Sequence, residues 1–117
     1  MARLIMEAEG TAGTGASSGV AEPGNQLPLN LVVSVTRSSG TAVTGLTAAN
    51  FQVEPILVAP GGALVTIERV IEPQAGIYLV EVIPIPAGTW QLGRYIFWLA
   101  LQSGANHGQT LCSVFVD

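Results

Sequence analysis

The chain has 117 residues, which suits a single domain, because dividing it would leave two pieces too small to bury good cores. Hydrophobic residues make up 49% of the sequence and charged residues only 10%, against about 25% in an average soluble domain. There is no lysine and the net charge is −4, so we expect neither a nucleic-acid-binding face nor a polybasic contact with a membrane.

The apolar runs are short. The longest lies around residues 95–101 and has the length of a strand, well short of the ~20 residues that span a bilayer. Residues 1–9 are too short and too acidic for the core of a secretory signal peptide. We therefore expect no membrane span and find no recognisable export signal. The single Cys112 cannot form an internal disulfide, so cysteine usage indicates no compartment.

The N-terminal quarter predicts one short strand followed by a long arm. Residues 3–8 predict the strand. Residues 9–27 are rich in Gly, Ala, Ser and Thr and have no usable period, which predicts a flexible loop or arm. A loop of this length in a compact domain is unusual, and such loops are often functional or ordered by a partner.

The rest of the chain predicts six more strands. Residues 29–37 alternate apolar and polar side chains with period two, as a half-buried strand does. Pro55 interrupts the next run and favours an edge strand or a bulge. One helical turn is predicted at residues 46–50. The six strands are predicted at 29–37, 51–58, 63–71, 77–85, 93–102 and 110–116. Seven short strands separated by frequent turns are typical of a β-sandwich or barrel.

Three segments resemble bacterial immunoglobulin-like modules. Residues 39–53 (SGTAVTGLTAANFQV) contain a Gly turn, a Gly-Leu pair and an aromatic that leads into a strand. Residues 76–82 (GIYLVEV) and 93–97 (GRYIF) are similar to the Gly-x-Tyr-x-Val-x-Val and Gly-x-Tyr-x-Phe strands of those modules. The resemblance implies an all-β, immunoglobulin-like sandwich of about seven antiparallel strands, with residues 1–117 as one domain. It implies a scaffold or binding module and supplies no catalytic residues.

The last two strands are predicted to be apolar on both faces. Side chains of a strand alternate between faces, so an inward Tyr95 or Cys112 places its neighbours outward. A lone sandwich normally keeps its outer face polar, and a contiguous apolar face more often marks a contact. We therefore expect a homo-oligomer or a place in a protein assembly; the alternative is that residues 9–27 fold back over the face. The predicted contact face comprises Ile96, Trp98, Leu111 and Phe115.

The sequence offers little catalytic equipment. The only histidine is His107, and the only aspartate, Asp117, ends the chain, a poor place for the orienting carboxylate of a Ser–His–Asp triad. Cys112 needs a nearby base to act as a nucleophile, and we expect it in the core. Acidic residues lack the spacing of a calcium loop, and zinc ligands are too few. We expect no enzyme activity, metal or cofactor.

Two functions stay open. The first is a non-catalytic structural or assembly module that self-associates or docks on a partner through the apolar face. The alternative is a carbohydrate- or protein-binding accessory module whose loop site is Trp90 and His107, because a tryptophan ring can stack on a sugar. The low charge and the Thr, Gly and Ser content resemble those of secreted or phage-type structural proteins.

Overall fold

Seven β-strands dominate the computed structural model, which describes residues 2–11 and 19–117. The number of strands predicted from alternation is confirmed, although several ends shift: β7 begins before the predicted start at 110. One short 3-10 turn, Ala48–Asn50, lies within the predicted helical turn. The strands are β1 (Ile5–Thr11), β2 (Leu29–Thr36), β3 (Phe51–Leu57), β4 (Val65–Gln74), β5 (Ile77–Pro84), β6 (Gly93–Ser103) and β7 (Asn106–Val116).

The strands form two antiparallel sheets, which makes the fold all-β and compatible with a β-sandwich. The four-stranded sheet has the order β1–β2–β5–β4, and the three-stranded sheet has the order β3–β6–β7. Pro55 lies in an edge strand, β3, next to an irregularity in the register between Pro55 and Leu57, as the sequence predicts. Within the described residues there is no helix long and apolar enough to cross a membrane.

Most of the core comes from side chains that alternation predicts to point inward. Each of the central strands buries every second residue, because side chains of a strand alternate between its two faces. The aromatic residues dominate the volume: Tyr95 packs against Phe97 with ring centroids 6.0 Å apart. The fully buried members from β2, β5 and β6 include Leu29, Leu31, Val33, Val35, Tyr78, Val80, Val82, Tyr95, Phe97 and Leu99.

The N-terminus joins the two sheets. Arg3 forms a parallel bridge with His107 of β7, and the Leu4 N–H donates to the His107 carbonyl at 2.7 Å. The chain then crosses to pair with β2 over the whole of β1. At Gly10 a Cβ atom would lie 2.9 Å from Cβ of Val114, so only glycine permits this close approach of β1 to β7.

The predicted loop or arm at 9–27 starts too early, whereas residues 19–27 do form a loop. Glu9 to Thr11 continue β1, and residues 19–27 are bonded to the loop before β6. Asn25 organises this second part, because its side-chain oxygen accepts from the N–H groups of Glu22 and Leu27. Residues 12–18 lie outside the described residues. The Gly-rich composition predicts flexibility, whereas specific hydrogen bonds connect residues 19–27 to the rest of the fold.

Candidate interaction surface

The outer side of the β6–β7 hairpin carries the predicted contact residues. Trp98 pairs with Leu111 across the two strands. The side chains of Leu111 and Phe115 are 60% and 47% exposed, and those of Ile96 and Trp98 are half-buried. The structure therefore brings the four predicted residues onto one sheet face and leaves two of them open to solvent. We call this surface, made of Ile96, Trp98, Leu111 and Phe115, the hairpin face.

Polar groups on the hairpin face bond to one another. The Trp98 indole N–H donates to Oε1 of Gln109 at 2.9 Å. Nη1 of Arg94 donates to Oγ of Ser113 at 2.7 Å. These bonds occupy the Trp98 indole N–H and the Ser113 hydroxyl, which lie between the apolar side chains, and Arg94 and Gln109 keep their remaining N–H groups toward solvent. Sequence reasoning missed this role of Gln109 and Ser113, because alternation gives the direction of a side chain and not its partner.

An open cleft of ≈ 550 Å³ adjoins one end of the hairpin face. Trp98 and His107 both line it, together with Gln52, Gln102 and Gln109. No Asp, Glu, Lys or Arg is among its lining residues. The cleft is therefore neutral and polar at its rim, and it extends the hairpin face toward β3.

No protein-family model, curated protein or solved structure matches this chain. Function is therefore inferred from the residues and their geometry. The resemblance to bacterial immunoglobulin-like modules stays a prediction.

The alternative loop site of Trp90 and His107 is not formed. Trp90 is 1% exposed, and its indole N–H donates to the Leu27 carbonyl at 2.7 Å. Its ring meets Tyr95 edge-on, with centroids 5.1 Å apart, so neither ring face is available to a sugar. His107 lies at the opposite end of the hairpin, paired with Gln102. The sequence places Trp90 in a loop, and it did not reveal that residues 19–27 close over it.

The nucleophile and base candidates also lie apart. Cys112 is 3% exposed and points into the core, and burial, with a smaller contribution from the charge of Glu9, raises the pKa of its thiol to about 11. His107 is exposed. Asp117 lies ten positions after His107 along extended chain, about 34 Å away at about 3.4 Å per position. Among residues 2–11 and 19–117, no three His, Cys, Asp or Glu side chains are grouped to hold a metal ion.

Two acidic residues have structural partners that the sequence did not predict. Glu81 belongs to the outward-pointing set of β5, yet it is 1% exposed, and its carboxylate pairs with Arg69 on β4 at 3.0 Å. Glu72 accepts N–H groups from Gly76 at 2.9 Å and Gly45 at 3.1 Å, which lowers the pKa of its carboxyl. Both carboxylates therefore stabilise connections within the fold.

Proposed function

We propose that this chain is a non-catalytic structural or assembly module that self-associates, or docks on a protein partner, through the hairpin face. The observation that carries the proposal is the exposure of Leu111 and Phe115 on a sheet face whose polar groups already bond to one another. Burying an exposed side chain of this kind contributes ~1.5–3 kcal/mol before the costs of association. A contiguous apolar sheet face of this kind is typical of an interface.

The described residues support a non-catalytic role. Acyl-transfer chemistry needs a nucleophile within hydrogen-bond reach of its base. Cys112 points into the core and His107 faces solvent on the same strand, so the two do not form such a pair. The raised pKa of the Cys112 thiol, about 11, keeps it protonated at neutral pH and adds to this inference.

Strand order supports an immunoglobulin-like assignment within the same proposal. In the constant-type immunoglobulin domain, strands one, two, five and four form one sheet and strands three, six and seven form the other. The sheets β1–β2–β5–β4 and β3–β6–β7 have these orders. Two of the segments that resemble immunoglobulin-like modules, 39–53 and 76–82, are in contact. Oη of Tyr78 donates to the Val43 carbonyl at 2.6 Å, and the Tyr78 ring packs on Phe51.

The carbohydrate-binding alternative loses its main support because Trp90 is buried. What remains is the cleft with one tryptophan, Trp98, whose indole N–H already bonds Gln109. A sugar site normally needs an open ring face together with polar groups that are available to hydroxyls. The assembly proposal accounts for more of the surface, because it uses all four residues of the hairpin face.

Solution mass measurements test the proposal. We expect the wild-type chain to sediment as an oligomer whose mass depends on concentration, and Leu111→Lys to shift it toward the monomer. Leu64→Lys is the matched control, because Leu64 is 62% exposed, close to the 60% of Leu111, and lies before the opposite edge strand, β4. A wild-type chain that stays monomeric at every concentration excludes self-association. Equal effects of the two lysines contradict a role specific to the hairpin face.

A further inference from the structure

The four edge strands of the two sheets differ in how they discourage pairing with other chains. Exposed strand edges invite pairing, and proteins block them with charged residues, prolines and bulges. β1 carries Glu7 and Glu9, while β3 carries Glu54, Pro55 and an irregular register. β4 carries charges, a proline and two irregularities of register. Three of the four edges are therefore protected.

β7 has none of these features. Its sequence, NHGQTLCSVFV, contains no Asp, Glu, Lys, Arg or Pro. It pairs with β6 over eleven residue pairs without a break in register. Among the described residues, the N-terminal segment forms backbone hydrogen bonds with the other edge at His107 alone, and β1 packs close to β7 at Gly10 and Val114. Within residues 2–11 and 19–117, no other strand pairs with that edge from Gln109 onward.

The backbone groups directed to this edge can be identified. The His107 N–H donates to the Ala2 carbonyl at 3.1 Å and its carbonyl accepts from Leu4, so both groups point away from β6. In a regular antiparallel strand, alternate residues direct both groups to the same edge. The outward groups therefore belong to every second residue after His107, and their side chains also lie on the outer side of the sheet. These residues are Gln109, Leu111, Ser113 and Phe115.

We propose that the free edge of β7 pairs antiparallel with the same edge of a second copy, around a two-fold axis at Ser113, so that two three-stranded sheets become one six-stranded sheet. This inference rests on the proposed function and places the contact at the β7 edge of the hairpin face, where Leu111 and Phe115 lie; Ile96 and Trp98 stay on the open face of the enlarged sheet. A two-fold interface places identical surfaces against each other, so each contact occurs twice. Addition of a strand to an exposed sheet edge is an established mode of recognition.

The side chains favour a second copy of this chain as the occupant. Pairing around Ser113 places Leu111 of each copy opposite Phe115 of the other, and aromatic–aliphatic pairs across strands stabilise a sheet. Each row across the new sheet then runs from Glu54 through Trp98 and Leu111 to the second copy's Phe115 and Arg94. The apolar side chains of each row thus lie between a negative charge, Glu54, and a positive charge, the second copy's Arg94. β7 itself brings no like charges to the seam, because it carries no Asp, Glu, Lys or Arg.

The N-terminal segment excludes a two-fold axis at Leu111. An axis at Leu111 would require His107 to pair with the second copy's Phe115, but the backbone of His107 is already bonded to Ala2 and Leu4. An axis at Ser113 uses only residues 109–117, whose outward groups face the free edge. The axis at Ser113 also places Leu111 opposite Phe115, whereas an axis at Cys112 would place Leu111 opposite Ser113, so the pairing of apolar side chains favours Ser113.

Disulfide trapping tests the register. Residues that exchange both backbone hydrogen bonds have Cα atoms about 5.5 Å apart, within the range that a disulfide bridges. We expect oxidised Ser113→Cys to form a covalent dimer in the majority of chains. Leu111→Cys alone should not form a covalent dimer, because pairing around Ser113 keeps the two Leu111 positions apart. A mixture of Leu111→Cys and Phe115→Cys should form one, because these two positions face each other. Native Cys112 stays in place, since its thiol is buried. Equal trapping of Ser113→Cys and Leu111→Cys overturns the register.

A proline variant tests the edge independently. Ser113→Pro removes an N–H that points to the free edge, so it breaks no bond to β6, and edge strands tolerate such prolines. We expect at least a tenfold rise in the dimer dissociation constant, with Ser113→Ala within twofold of wild type and folding of both verified by circular dichroism. A dimer that Leu111→Lys dissociates but Ser113→Pro leaves intact overturns edge pairing and keeps the proposed function. A wild-type monomer at every concentration overturns both.

Discussion

The guanidinium of Arg94 lies over the ring of Phe115, 5.6 Å from its centroid, and donates to Ser113 beside it. The two residues are partners across β6 and β7. The one arginine of this hairpin therefore covers an apolar ring while its charge stays in solvent. An exposed contact between a cation and an aromatic ring is worth ~0.5–1 kcal/mol.

Replacement of Arg94 tests this contact. We expect Arg94→Ala to lower the free energy of unfolding by ~0.5–1 kcal/mol, because it removes both the ring contact and the bond to Ser113. Urea unfolding measures the loss. Arg37→Ala is the control, because Arg37 is exposed in the turn after β2. Equal losses for the two variants would contradict a stabilising role of the Phe115 contact.

Tyr78 ties the segment before β3 to the core. Its hydroxyl donates to the Val43 carbonyl at 2.6 Å and accepts the Leu46 N–H at 3.3 Å. We expect Tyr78→Phe to cost ~1–3 kcal/mol, because it leaves buried backbone groups without their partner. Thermal unfolding measures this. Tyr95→Phe is the matched control: its hydroxyl accepts only from the partly buried Gln91 N–H, and we expect a smaller loss.

Alternation of side chains was sufficient to predict the strands and their inward faces. Tyr78, Tyr95 and Phe97 belong to period-two runs in the sequence, and all three are fully buried. The hairpin face follows from the same rule, because outward positions on two paired strands share one side. A repeat of two residues is a local property, so the chain itself encodes it.

Burial at the outward and loop positions was not predictable in this way. Glu81 points outward from its sheet and is nevertheless 1% exposed, with Arg69 as its partner. Trp90 lies in a loop and is closed over by residues distant in sequence, including Leu27. Alternation states which face a side chain occupies, whereas exposure depends on what distant segment covers that face. The strand order of the sheets depends on long-range pairing in the same way.

Acid should weaken the fold through Glu72. Its carboxylate accepts from Gly76 and Gly45, and these bonds hold its pKa below the ordinary 4.5. A carboxyl whose folded-state pKa is lowered stabilises the fold above its ordinary pKa, and this contribution is lost as the pH falls through the folded value. We expect the free energy of unfolding of Glu72→Gln to depend less on pH in this acid range than that of the wild type. Urea titrations at several pH values measure both. The same acid dependence in both proteins would contradict this role.

The Cys112 thiol should be unreactive in the folded chain. Burial raises its pKa from 9.0 to about 11, and the charge of Glu9 adds to the shift. The thiol is therefore protonated near neutral pH, and only the thiolate reacts. We expect disulfide reagents to label it slowly until denaturant is added. The contribution of this thiol to stability is present below its ordinary pKa of 9.0 and is lost as the pH rises through about 11.

Variants of Glu9 and Glu7 test whether the charge of Glu9 adds to the raised pKa of Cys112. Glu9→Gln removes the charge that raises the pKa of Cys112, so labelling at alkaline pH should become faster. Glu7→Gln lies two residues away on the same strand and should have less effect. The labelling rate as a function of pH distinguishes the two variants. Equal rates for both would contradict an effect specific to Glu9.

Trp90 should hold residues 19–27 in place without affecting assembly. Trp90→Phe keeps an aromatic ring in the core but removes the bond from the indole N–H to the Leu27 carbonyl. We expect a loss of ~0.5–1.5 kcal/mol, because the Leu27 carbonyl loses its donor, together with faster hydrogen–deuterium exchange of the backbone amides of residues 19–27. The oligomeric mass should stay that of the wild type, since Trp90 is buried away from the hairpin face. Unchanged exchange would show that residues 19–27 are held by contacts other than Trp90, and a shift to monomer would contradict its separation from the interface.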